Sequence, residues 1–181
     1  MRKSSIYIVS ELKPSLLKLP DLVTAIQNKK FTSVDDLFTW LMLLENKLKQ
    51  LNYTECAEIS GLRAQLAEQK FVLNGKPNER KKRQIQKALE IIYPAQETVS
   101  KLLQPLEDKI AQARQLIRQM LNVAYSLGIV PEATPQNFTS HIHHVWSVLA
   151  AHDQLKNGIN NVKLLVGMTD GIQLLAEEIE L

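Results

Sequence analysis

A single cysteine in 181 residues removes a whole class of chemistry from this chain. Cys56 can form no intrachain disulfide and no cysteine-rich metal site. Its setting, Thr54-Glu55-Cys56-Ala57-Glu58, is acidic and disfavours a thiolate. It reads as a small packing residue. Glycine is nearly as scarce, at six residues, so few positions call for a positive-φ turn. Aromatic side chains make up only 6% of the chain, and its β-branched runs are short, which disfavours a large sheet. Long apolar runs are missing too. The stretch Ile6-Tyr7-Ile8-Val9 is far shorter than the roughly 7–15 residues of a signal-peptide core or the roughly 20 of a spanning helix. A cytoplasmic protein without a membrane segment is the expectation.

Two apolar stripes dominate what is present. Leu103, Leu106, Ile110, Ala113, Ile117, Met120, Ala124 and Leu127 recur at alternating spacings of three and four, and so do Val34, Leu37, Leu41, Leu44, Leu48 and Leu51. Such a rhythm holds one seam on one side of a helix and requires a facing helix to bury it. With 45% apolar and 23% charged residues the chain has enough material for a core. The predicted fold is all-α: an up-and-down bundle of five to seven helices around helices 33–52 and 95–127.

Residues 1–17 read as an arm of uncertain structure, with Ser5 to Val9 as a short strand or extended segment and Pro14 breaking any early helix. Residues 18–181 read as one helical domain. Within it, a short helix starts near Pro20-Asp21. Ser33 offers an N-cap to the next, with Asp35 and Asp36 in its first turn, where the helix dipole favours negative charge. A third helix covers 55–73, and Asn74-Gly75-Lys76-Pro77 is a clear turn and the one plausible boundary. Pro94 should separate a helix over 78–93 from the long one. Pro105 should kink or restart the latter near 101–105. Gly128 ends it. Another helix covers 137–156, residues 159–167 fit a helix or a buried strand, and Thr169-Asp170 caps the last helix.

Motifs for chemistry are sparse. No P-loop, Gly-x-Gly-x-x-Gly, Gly-x-Ser-x-Gly or His-Glu-x-x-His pattern occurs, and no catalytic residue or cofactor is assigned. His141 and His144 share one side of a helix and make the only metal half-site worth naming, for a bundle enzyme of the metal-dependent kind. The plainer reading is two polar helix residues. Arg80-Lys81-Lys82-Arg83, extended by Lys76 and Lys87, is the candidate contact for nucleic acid or an acidic partner. Against it, four successive helical residues spread around the helix, and no aromatic residue interleaves them for base stacking. Gln112, Gln115 and Gln119 fit a neutral solvent face, and Trp40 and Trp146 fit core anchors.

Charge is unevenly placed. Residues 76–130 hold 10 basic and 5 acidic side chains, and residues 131–181 hold 2 and 6. The acidic tail with Glu177, Glu178 and Glu180 should therefore lie near a basic part of the molecule or of a second copy. The leading functional expectation is a non-enzymatic protein-interaction module, an adaptor, assembly subunit or chaperone-like partner that uses apolar helical seams for a protein partner or self-association. An accessory nucleic-acid-binding protein, acting through residues 76–87, is the alternative.

Overall fold

A computed structural model describes residues 3–30, 32–71, 77–131 and 137–179. Among them every regular element is helical: α1 (Ser5–Leu17), α2 (Leu19–Gln27), α3 (Ser33–Gln50), α4 (Cys56–Phe71), α5 (Pro77–Ser126), α6 (Phe138–Ala151), α7 (Lys156–Val166) and α8 (Met168–Ile179). The all-α class follows, with one long helix. Only Lys18 separates α1 from α2. The chain divides into two compact units. An inner unit comprises residues 8–104, and a terminal unit comprises residues 1–7 and 105–181. The division falls at Pro105; residues 74–76 of the predicted turn lie outside the described residues.

A helix break at Pro14, a separation at Pro94 and a restart at Pro105 are expectations that the helix bounds correct. Residues 5–17 are helical through Pro14, and α5 runs without a break through Pro94 and Pro105. An interior proline costs a helix about 3 kcal/mol. Around Pro94, however, Ile91, Ile92, Ala95, Val99 and Leu103 are all buried, and burying each of the larger aliphatic side chains contributes about 1.5–3 kcal/mol. Packing outweighs the local penalty. Pro105 and Lys101 are both exposed, so the carbonyl that Pro105 deprives of a donor lies on the wet side of the helix. In α1, Leu12 is fully buried and Pro14 exposed. The orphan carbonyl of Ser15 in the last turn accepts from Trp40 Nε1 at 2.9 Å.

In the inner unit α3 packs against α2 and α4. Leu37, Leu41, Leu44 and Leu48 are fully buried. Trp40 is buried as well. Arg63 of α4 donates to Glu45 Oε2 at 2.8 Å and lies over the Phe38 ring at 5.5 Å, so it closes the α3–α4 edge by charge and by stacking. Ser33 does not act as the predicted cap. Thr32, already helical at φ −88° and ψ −8°, holds the cap position without a side-chain bond to the helix amides. The Ser33 hydroxyl instead donates back to the Lys30 carbonyl at 2.8 Å. That bond fixes Lys30 at the entrance to α3.

The terminal unit gathers Ala113, Ile117, Met120, Leu121 and Ala124 of α5 around Ile142, Val145, Trp146 and Leu149 of α6. Ile159, Val162 and Val166 of α7 and Leu174 and Leu175 of α8 complete this core. Residues 156–166 are helix, and Gly167 at φ +92° makes the turn into α8. Asp170 is not a cap for its own helix. It is 2% exposed, and its Oδ2 accepts from the amide of Ser5 at 2.7 Å and of Ile6 at 3.3 Å. It caps the first residues of α1, from a position 165 residues away in sequence.

Gly171 marks a close helix approach in this unit, against an aromatic ring and a β-branched side chain. A Cβ built there would stand 2.7 Å from the Trp146 ring and 3.0 Å from Val162. Gly171→Ala is therefore expected to lower stability by about 1–2 kcal/mol in a urea melt, overpacking outweighing alanine's helix preference. Gly158→Ala meets only the flexible side chain of Met120 and should be close to neutral. A stabilised Gly171→Ala protein would show that this contact is loose.

Candidate functional site

The basic run enters the structure split. Lys30, Ser33, Val34 and Asp35 at the start of α3 face Pro77, Arg80, Lys81, Gln84 and Ile85 at the start of α5 across a half-open groove of about 330 Å³ within the inner unit. Arg80 and Lys81 line this groove; Lys82 and Arg83 do not. Helix geometry makes that split unavoidable, since successive residues turn about 100° around the axis. Lys87 is drawn into an ion pair with Glu90 at 3.5 Å. Lys76 lies outside the described residues. Of the groove's cations, Lys30 had no sequence signal: it is held by hydrogen bonds from its own amide to the Ala25 carbonyl and from the Ser33 amide and hydroxyl to its carbonyl.

The histidines do not converge. His141 is buried at 8% exposure, whereas His143 and His144 are exposed. Among the described residues no group of three or more His, Cys, Asp or Glu side chains is placed to hold a metal ion. His152 Nδ1 is buried without a hydrogen-bond partner. Cys56 is a free, half-buried thiol.

A second groove in the inner unit, of about 390 Å³, is lined by Glu55, Glu58, Glu97, Thr98 and Lys101. Its charges are largely used within the protein. Thr98 donates to Glu58 at 3.1 Å, and Lys101 pairs with Glu97 at 2.8 Å. That hydrogen bond to Glu97, with its charge, raises the Lys101 pKa above the ordinary lysine value.

The acidic tail does find a basic partner, on α5 of its own unit. Arg114 holds Glu177 at 2.5 Å and Glu178 at 2.8 Å, and Arg118 holds the second Glu178 oxygen at 2.5 Å. The Glu178 side chain is only 4% exposed. The Arg118 hydrogen bond holds its carboxyl below the usual carboxylate range; Arg114 adds to the effect and burial opposes it. Glu180 lies outside the described residues.

Four of the twelve large hydrophobic side chains exposed among the described residues, Leu89, Tyr93, Val123 and Tyr125, lie on the long helix. Leu127, read from the sequence as the last residue of the apolar seam, lies just past the helix and is 46% exposed. Leu89 and Tyr93 are four apart, so they share one helix face. Gln112, Gln115 and Gln119 are exposed, as expected of a neutral solvent face. No helix among the described residues is long and apolar enough to cross a membrane. Comparison with known protein families, curated proteins and solved structures finds no match.

Proposed function

We propose that this chain is a non-enzymatic protein-interaction module whose binding face is carried by α5. One observation carries the reading: the Leu89–Tyr93 pair, 40% and 70% exposed on one face of α5. An amphipathic partner helix recognises anchors at this spacing. Leaving them in water without a partner forgoes burial worth roughly 1.5–3 kcal/mol per large apolar side chain. A cytoplasmic setting belongs to the proposal and rests on the free thiol of Cys56. Nucleic-acid binding ranks second, because the groove collects only part of the basic run and, among the described residues, no aromatic side chain lines it. A metal-dependent enzyme ranks last, since His141 and His144 differ in burial.

The test is a pair of substitutions, Leu89→Glu with Tyr93→Glu, read by light scattering over a concentration series and by affinity capture from the native organism. The wild-type protein should self-associate or recover a specific protein. The variant should lose that association at least tenfold, as two buried apolar anchors would imply, with an unchanged melting temperature because both sites are exposed. A wild-type protein that stays monomeric and recovers nothing that the variant loses would overturn the reading.

A further inference from the structure

We infer that the groove between the starts of α3 and α5 is an anion site for a small phosphate-bearing molecule. Three cations from two elements line it: Lys30 before α3, and Arg80 and Lys81 on α5. None of the three side chains has an ion-pair partner among the described residues. Like charges gathered in one concavity repel each other, and a bound anion relieves that repulsion. The groove also sits where two long helices begin, with Ser33 at the first residue of α3 and Pro77 at the first of α5. Both walls thus contribute the positive end of a helix dipole. Arginine adds a planar fork that matches phosphate oxygens in pairs.

The size selects the ligand class. A concavity of about 330 Å³ lies at the small end of ligand pockets, which run from about 300 to 1,000 Å³. It suits one or two phosphoryl groups or a mononucleotide, and not a nucleic-acid duplex. A phosphodiester chain would need cations continuing along the helix. Instead Lys82 and Arg83 lie outside the groove, and Lys87 is paired with Glu90. Asp35 is the one carboxylate of the lining. It opposes any anion, and so supplies a control of opposite sign.

Calorimetric titration of the full chain with inorganic pyrophosphate, adenosine 5′-monophosphate and an unphosphorylated single-stranded oligonucleotide tests the site. Saturable binding of pyrophosphate or the mononucleotide is expected. Arg80→Gln with Lys81→Gln should weaken it about tenfold or more, the usual size for losing charged hydrogen bonds. Lys82→Gln should change it less than twofold. Asp35→Asn should tighten it, a gain that no loss of folding can imitate. Binding of the oligonucleotide alone would overturn the proposal in favour of a nucleic-acid surface. Absence of binding by every probe, or equal losses from Lys82→Gln and the groove pair, would overturn it outright.

Discussion

Deleting residues 170–181 should abolish the protection of α6 and α7 in hydrogen exchange, whereas Glu177→Gln with Glu178→Gln should cost only about 1–2 kcal/mol at moderate salt. The two changes remove different forces from the same helix. The deletion takes away Leu174 and Leu175, both fully buried in the core of the terminal unit, together with the Asp170 cap. Truncating one such leucine to alanine costs about 2–5 kcal/mol by itself. The Glu178 carboxylate is covered, at 4% exposure, but Glu177 and the arginines are 39%, 31% and 58% exposed, so water partly screens the pairs. The pH dependence separates the contributions further. Glu178 titrates below its unfolded value, so its stabilisation is complete above the ordinary carboxylate range, near pH 4.3. It is lost as pH falls through the lower, folded pKa. The wild-type advantage over Glu178→Gln should therefore hold at pH 7 and shrink below about pH 4. Equal losses from the deletion and the neutralisation, in denaturant melts, would show that ion pairing drives the docking of α8.

Asp170→Ala is the second change with a large expected effect, a loss of about 2–4 kcal/mol. It strands the amides of Ser5 and Ile6, and Ser5 is 2% exposed. A buried donor left without an acceptor costs about 1–3 kcal/mol, and an N-cap deletion about 0.5–2 kcal/mol. Asp170→Asn retains a carbonyl acceptor and should cost less than Asp170→Ala. Ser5→Pro supplies the second arm of a cycle, because proline is tolerated at the first helical position and has no amide to lose. In that background Asp170→Ala should cost measurably less. Thermal melts of the four proteins give the coupling directly. Additive losses would mean that the Ser5 amide bond contributes nothing.

The candidate groove and the Asp170 cap illustrate where reading along the chain stops. Arg80 and Lys81 were visible as charge, and their helix was visible from Ile85, Ala88, Leu89 and Ile92. Which two of four successive cations share a concavity depends on what stands opposite, and that is the start of α3. Lys30 is held at the groove by hydrogen bonds from the Ser33 hydroxyl and amide to its carbonyl and from its own amide to Ala25. Asp170 looked like a local cap because Asp often is one. Its true partners lie 165 and 164 residues away, beyond the reach of any local rule.

What the sequence by itself determined was the helical class, the inward faces of α3 and of the second half of α5, and the end of the long helix at Gly128, which sits at φ +63°. Each is set by a period or by a single residue's conformational range, and both act within a few residues of the chain. Tertiary structure alone decided that Pro14, Pro94 and Pro105 stay inside helices. It alone decided that the chain divides at Pro105, and that Arg114 and Arg118 are the cations that hold the acidic tail. A proline's local penalty of about 3 kcal/mol is definite, but it competes with burial that sums over many distant side chains. That sum exists only once the helices have met.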